Sequence, residues 1–305
     1  RVETNREEER EPMSISTIQH RFIHANGLRF HVAECGKGER FILCLHGFPE
    51  CWFSWRYQLP ALAEAGYHVW APDLRGYGQS DRPQRLEDYA IERLMDDVRA
   101  LIEARGARHV VLVGHDWGAL IAWYFAMRFP QHLDRLVIMN VPHPGVMERA
   151  LRGRQLLRSW YVLFFQLPWL PENLLSMFDY RAIRQAFVGM AVDKSRFPEE
   201  VLRFYRDEAA RPGALTAMVN YYRALVRGGG AERQRRLGYP RIDVPTLMIW
   251  GEEDAALGKE TTYGTEQFVS HLTLHYLRGV SHWVQQEAPE TVNRLLLDWL
   301  AKYTR

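Results

Sequence analysis

The stretch Val110-Val-Leu-Val-Gly-His-Asp-Trp-Gly118, running into the apolar residues 119–127, decides the fold of this chain. Its first four residues are aliphatic without alternation, as in a parallel strand buried on both faces. The residues beyond it have the length and composition of a helix. Between the two, Gly114 and Gly118 bracket Asp116 and permit a sharp turn, which lifts the central side chain above the sheet edge at a helix N-terminus. The unpaired amides of that terminus favour an anion. A carboxylate so placed can attack an electrophilic sp³ carbon and form an ester, whereas attack on an ordinary ester would give a labile anhydride. The plainer role for an Asp after a buried strand is to cap the helix. Residues 110–127 also have the length of a short membrane span, but His115 and Asp116 lie well inside the run. Two buried elements joined by a tight turn account for it better.

Outward from this stretch, short β-rich runs alternate with helical spacing. Strands are predicted at 30–35, 41–45, 68–71, 110–113, 136–139, 246–250 and 272–276. Helices are predicted at 55–64, 91–104, 119–128, 265–270 and 291–302. This alternation implies βαβ units, hence an α/β fold with a mostly parallel, doubly wound sheet. The pattern fails between about Pro142 and Pro240, where the spacing is helical, aromatics are frequent and Pro168, Pro171, Pro198 and Pro212 punctuate. It resumes at Val244. The expected organisation is an N-terminal extension over 1–17, a core in two parts over 18–141 and 241–305, and a helical cap over 142–240. Such a cap would sit over the carboxyl ends of the strands, where sheets of this kind bind ligands.

Three further segments carry chemistry. His46-Gly-Phe-Pro49 follows the strand ending at Leu45. This turn can present the Phe48 N–H to an oxyanion, with the Trp117 N–H as second donor, and Pro49 in cis would hold it. Met248-Ile-Trp-Gly-Glu-Glu-Asp254 ends a strand in an acidic loop, and Gly279-Val-Ser-His-Trp283 follows the last strand. Asp254 is then placed to orient His282 and stabilise its imidazolium, and His282 to act as general base on water. Glu252 and Glu253 compete for the acid's role, while Asn140, after the preceding strand, is no carboxylate and keeps the acid in the later loop. Singly, each segment has a bland reading as a turn or a structural histidine. Their chain order, each just after a predicted strand, joins them into one site.

Composition narrows the function classes. The chain has 305 residues, nearly half hydrophobic, with 10 Trp, 14 Tyr and 14 Phe, enough for a large core and an apolar pocket. Its 39 basic and 37 acidic residues leave a net charge of +2, which gives no electrostatic footprint for nucleic acid. The Arg-rich stretch 227–241, with Gly228, Gly229, Gly230 and Glu232, reads as a solvated loop. Cys35, Cys44 and Cys51 form neither a disulfide framework nor a zinc pattern, so a reducing, cytoplasmic setting is expected. The segment before Met13 is mixed in charge, with no apolar stretch for a signal or anchor, and is expected to be disordered. Met13 as a natural start would make those residues an upstream addition.

With these pieces in place, the chain from Ile18 onward resembles the epoxide hydrolases of the α/β-hydrolase fold. The matching segments are His46-Gly-Phe-Pro-Glu-Cys-Trp-Phe-Ser-Trp-Arg56, Asp73-Leu-Arg-Gly-Tyr-Gly-Gln-Ser-Asp81, Gly114-His-Asp-Trp-Gly118, Trp250-Gly-Glu-Glu-Asp254 and Gly279-Val-Ser-His-Trp283. The resemblance implies that Asp116 forms a hydroxyalkyl ester with an epoxide, that His282 and Asp254 activate the water that hydrolyses it, and that a vicinal diol leaves. It implies no cofactor and no metal. The expected partners are a small hydrophobic epoxide and water, with no nucleic acid and no membrane, and a homodimer stays open. His46, Pro49 and Trp117 are the expected substrate contacts. In this family two cap tyrosines receive the opening oxygen. Tyr161-Val-Leu-Phe-Phe-Gln-Leu-Pro168 is similar to the segment bearing the first, and Asn220-Tyr-Tyr-Arg223 to the segment bearing the second at Tyr222. Tyr221 points about a quarter-turn away on a helix, so only one of the adjacent pair can face Asp116. The rival readings are a haloalkane dehalogenase with the same nucleophile and a catalytically silent ligand-binding relative. Phe48 stands where many dehalogenases carry a halide-binding Asn, and no catalytic member is missing.

Overall fold

The computed structural model describes residues 17–151 and 154–302. Strands β1 (Gln19–Ala25) and β2 (Leu28–Cys35) are joined at Asn26-Gly27. Then come β3 (Phe41–Leu45), α1 (Gln58–Glu64), β4 (His68–Pro72), α2 (Ile91–Ala104), β5 (Val110–His115), α3 (Trp117–Arg128) and β6 (Leu133–Met139). The next described elements are all helical: α4 (Pro144–Ala150), α5 (Arg154–Arg158), α6 (Trp160–Phe164), α7 (Leu170–Met190), α8 (Glu199–Ala209), α9 (Ala214–Val226) and α10 (Gly230–Leu237). The chain then returns to the sheet with β7 (Thr246–Gly251) and β8 (Leu272–Leu277), and finishes with α11 (Val284–Glu287) and α12 (Pro289–Ala301).

The eight strands form one sheet in the order β1-β2-β4-β3-β5-β6-β7-β8. The pairs β1–β2 and β2–β4 are antiparallel and every later pair is parallel. The parallel strands β3, β4, β5 and β7 are buried at every residue, which is why their sequences run apolar without alternation. On α2 the buried residues Ile91, Leu94, Met95, Val98, Leu101 and Ile102 recur at helical spacing and face the core. Helix α3 is buried over most of its surface because sheet and overlying helices cover it from both sides. Among the described residues no helix is long and apolar enough to cross a membrane.

The helices between β6 and β7 rest on loops at the carboxyl ends of the strands. From α9, the Tyr221 ring packs 5.3 Å from Tyr77 and from Trp117, and the Tyr222 ring 4.9 Å from Trp117. From α8, Phe204 packs 4.4 Å from Phe53. The Tyr221 hydroxyl donates to the Arg75 carbonyl at 2.7 Å. Arg75 is itself fixed by a buried two-point pair with Asp97 (2.8 and 2.6 Å), whose carboxylate also accepts from Asn26 in the β1–β2 turn.

Several expectations need correction. Strand β1 was not anticipated because its side chains are mostly exposed and polar, so no apolar period marks it. Asn26-Gly27, a two-residue hairpin signal with both residues at positive φ, marks its turn. The predicted helix at 55–64 starts only at Gln58, after a 3₁₀ turn at Trp52–Trp55. Pro60 then falls in the first turn, where its missing N–H costs nothing. The predicted helix at 265–270 is a 3₁₀ turn, Thr265–Gln267, whose Thr265 hydroxyl bonds back to the Thr262 carbonyl. The Arg-rich stretch is not a solvated loop, because most of it is α10. Glu232 accepts from Arg235 and Arg236 one turn on, while Arg233 and Gln234 reach Glu92 of α2. Such i,i+3 and i,i+4 pairs support a helix with no apolar face. The expected N-terminal extension lies, apart from Thr17, outside the described residues.

Removing one partner of a buried ion pair strands the other, at a cost of about 3–5 kcal/mol. Asp97→Ala should therefore lower unfolding stability by roughly that amount, read as a shift of the urea midpoint at unchanged slope. A midpoint within error of the parent would show that Arg75 needs no partner.

Candidate active site

Loops leaving the carboxyl ends of β3, β5, β6, β7 and β8 converge on Asp116. This residue joins β5 to α3 with φ +49° and ψ −121°, a conformation rare outside glycine. The turn closes because its neighbours lack side chains. A Cβ on Gly118 would overlap the Leu45 carbonyl, and one on Gly47 would overlap the Asp116 side chain. The Asp116 side chain does not cap α3, so the simple N-cap role fails. Its Oδ1 instead accepts from the Phe48 N–H at 2.7 Å, and its Oδ2 lies 3.4 Å from His282 Nε2. The Trp117 N–H makes no hydrogen bond among the described residues, as expected in the first turn of a helix.

His282 Nδ1 is 2.7 Å from Asp254 Oδ2, and both side chains are buried. The Asp254 carboxylate is saturated: Oδ1 accepts from the Ala256 and Leu257 N–H groups (2.8 and 2.9 Å), and Oδ2 also accepts from Asn140 Nδ2 at 2.7 Å. Asn140 in turn accepts from the Gly251 N–H at 2.9 Å. Burial alone would pull the His282 imidazolium down, but the charges of Asp254 and Asp116 outweigh it and raise its pKa to about 10. Burial likewise pushes the Asp116 carboxyl up, yet its bond and charge interaction with His282, with His115 and the Phe48 N–H, hold it below the usual range. The resting site is thus a carboxylate, an imidazolium and a second carboxylate in line.

Asp116 and Trp117 line a cavity of about 540 Å³ whose remaining wall is mostly aliphatic and aromatic. Tyr161 of α6 and Tyr222 of α9 line the same cavity, their rings edge to face with centroids 5.9 Å apart. Burial, followed by the Asp116 charge, pushes both phenols above their ordinary pKa, so both stay protonated as donors. Among the described residues no group of three or more His, Cys, Asp or Glu is set to hold a metal.

Two expected substrate contacts lie elsewhere. His46 and Pro49 are buried and do not line the cavity. His46 Nε2 accepts from the Leu74 N–H, so its proton is on Nδ1, which donates to the Gly47 carbonyl at 2.9 Å. Both ring nitrogens are thus spent on backbone, tying the turn that carries Phe48 to the loop after β4. The Phe48–Pro49 bond is cis. Glu252 instead pairs with Lys259, away from His282. Sequence reading missed Asn140 as a partner of Asp254, and also Glu50. The Glu50 carboxylate is fully buried and meets His115 Nδ1 at 2.8 Å, while His115 Nε2 donates to the His282 carbonyl at 2.8 Å. The available signal was position alone: Glu50 follows the His46-Gly-Phe-Pro49 turn and His115 precedes Asp116.

Comparison with known proteins agrees with this architecture. The family model for the alpha/beta hydrolase fold matches residues 41–289. The chain is 39% identical to the AB hydrolase superfamily protein YfhM of Bacillus subtilis, over 93% of this chain and 98% of that one. It is 38% identical to human Epoxide hydrolase 4, over 93% of this chain and 78% of that one. Among solved structures, an epoxide hydrolase variant from Bacillus megaterium superposes with a TM-score of 0.85 at 31% identity, covering 92% of this chain and all of that one. The epoxide hydrolase VrEH1 from Vigna radiata superposes with a TM-score of 0.82 at 32% identity, covering 95% and 100%.

The charge arrangement sets a titration that can be measured. His282 should stay protonated up to about pH 10, visible in its ring ¹⁵N shifts. Its stabilising proton is fully present below the ordinary histidine pKa of about 6.5 and is lost as pH rises through the folded value. Asp116→Asn removes one of the two carboxylates and should bring the titration down. A His282 ring that is neutral at pH 8 in the parent protein would contradict the charge assignment.

Proposed function

The chain belongs to the α/β-hydrolase-fold epoxide hydrolases, and we propose that it opens small hydrophobic epoxides to vicinal diols through a covalent ester on Asp116. The observation that carries this reading is the shared cavity, which joins a charged Asp116 to two protonated phenols, Tyr161 and Tyr222. Asp116 Oδ2 attacks an epoxide carbon, the C–O bond breaks, and the freed oxygen takes a hydrogen bond and then a proton from the tyrosines. Asp116 Oδ1, already held by the Phe48 N–H, becomes the ester carbonyl oxygen. Esterification removes the Asp116 charge, so one of the two carboxylates that keep His282 protonated is gone. The imidazolium gives up its Nε2 proton, which through solvent restores the phenol that protonated the alkoxide. His282 then takes a proton from water, hydroxide adds to the Asp116 Cγ, and the charge on Oδ1 is met by the Phe48 and Trp117 N–H groups. Collapse expels the former Oδ2, which takes a proton from His282 and leaves in the diol, and the new Asp116 carboxyl then gives its proton back to His282. Asp254 orients His282 throughout.

In this reading residues 142–240 are the cap and the flanking parts, 18–141 and 241–305, the hydrolase core. His46 and Pro49 shape the turn that presents the Phe48 N–H, and Trp117 contacts the substrate. A haloalkane dehalogenase would share the ester but would be expected to meet its leaving halide with N–H donors. The paired phenols favour an oxygen.

Two measurements test the proposal. With His282→Gln, attack should proceed while hydrolysis stalls, so mass spectrometry after incubation with styrene oxide should show protein plus epoxide mass. Asp116→Asn should show neither adduct nor turnover. Tyr161→Phe and Tyr222→Phe should each slow ester formation by about 10²–10³, and the double variant should be nearly dead though folded. Phenylalanine variants running at the parent rate, or halide release from bromoalkanes without diol formation from epoxides, would overturn it.

A further inference from the structure

Tyr161 lies on a helix that cannot hold itself in place. Helix α6 has five residues, none of them fully buried, and its Trp160 and Leu163 are 63% and 65% exposed. A helix so short has no stability of its own, so the position of Tyr161 depends on tethers. Arg223 provides them, from the position after Tyr222 on α9. Its side chain is 6% exposed. Nε donates to the Phe165 carbonyl at 3.0 Å and Nη2 to the Leu167 carbonyl at 2.5 Å. Phe165 closes α6, its N–H bonded to the Tyr161 carbonyl at 2.9 Å. Nη1 and Nη2 also grip the Glu172 carboxylate at the start of α7 (2.5 and 3.0 Å), and Nη1 meets Asn220 Oδ1 at 3.5 Å. A lighter strap runs the other way, from Gln166 Nε2 to the Tyr222 carbonyl at 3.2 Å.

We propose that Arg223 is a positioning residue that fixes the separation of the Tyr161 and Tyr222 hydroxyls and thereby sets the rate of epoxide opening. Carbonyls at a helix end lack intrahelical donors, and a cation there also meets the negative end of the helix dipole. The planar fork of N–H groups has fixed angles, so binding two carbonyls and a carboxylate together fixes α6 against α9 in direction as well as distance. A lysine ammonium can keep the charge beside Glu172 but cannot reproduce the fork. The other neighbour of Tyr222, Tyr221, ties the same helix to the core through the Arg75 carbonyl, so Tyr222 is already fixed over Asp116. Arg223 adds the second tyrosine to that frame. The inference rests on the proposed role of the two tyrosines.

The test compares Arg223→Lys and Arg223→Met in the full chain, with circular dichroism to verify folding. Ester formation and ester hydrolysis are measured separately by rapid quench with styrene oxide. Misplacing a donor by about an ångström costs on the order of 10²-fold. Ester formation should therefore slow roughly 10- to 10²-fold, while hydrolysis, which uses His282 and Asp254, keeps the parent rate. In a Tyr161→Phe background the same Arg223 substitution should add little, because the hydroxyl it positions is already gone. Equal slowing of both steps, an undiminished effect in the Tyr161→Phe background, or ester formation at the parent rate would overturn the inference. If Arg223→Met does not fold, Arg223→Lys alone decides. Should Tyr161→Phe and Tyr222→Phe themselves leave ester formation unchanged, the tyrosine reading of the site falls. Should they slow it while Arg223→Lys does not, only the role given to Arg223 falls.

Discussion

A carboxylate has to keep its charge inside a cavity lined mostly by aliphatic and aromatic side chains. Left alone there, Asp116 would take up a proton, since burial disfavours the charged form. His282 and the Phe48 N–H prevent this, and each needs support of its own. His282 stays cationic because Asp254, facing its other nitrogen, adds its charge to that of Asp116. Asp254 stays in place because two backbone N–H groups and Asn140 saturate its oxygens. The partners come from loops after β3, β6, β7 and β8, so the chain of charges depends on the parallel register that sets those strand ends side by side. Gly47 and Gly118 serve the same end, by letting the end of β3 and its loop touch the β5–α3 turn that carries Asp116.

The same charges give the proposed cycle its direction. Before attack, His282 is an imidazolium held between two carboxylates, Asp254 at Nδ1 and Asp116 at Nε2. Ester formation converts one of those carboxylates into a neutral group and lowers the affinity of His282 for its proton. The base needed for the second step is favoured only once the first is complete. The phenols follow the opposite logic, because burial and the Asp116 charge hold their protons until an alkoxide appears.

Much of this was legible in the chain. Asp116, Phe48, Asp254 and His282 each sit in a tight turn after an apolar strand, and glycine, proline and strand ends leave local marks in sequence. The interactions that tune them did not show, because they join residues far apart. Asn140 looked inert as a non-carboxylate, yet it crosses 114 positions to reach Asp254. Glu50 and His115 look like neighbours of motif residues until the fold pairs them. His46 was expected at the substrate, but its two nitrogens tie the Gly47 carbonyl to the Leu74 N–H. Strand β1 escaped because an exposed edge strand carries no apolar period. Helix α10 escaped because its support is a set of ion pairs, including one to α2, that apolar periodicity does not record. Tyr161 and Tyr222 were singled out by resemblance alone, since nothing local separates them from other tyrosines of an aromatic-rich cap.

The central claim is that water attacks the enzyme and not the epoxide. A single turnover in ¹⁸O-water, with enzyme in excess over epoxide, tests it most directly. The account predicts that the first diol is unlabelled and that one ¹⁸O enters the peptide containing Asp116. Label in the first diol, with an unlabelled Asp116 peptide, would contradict it.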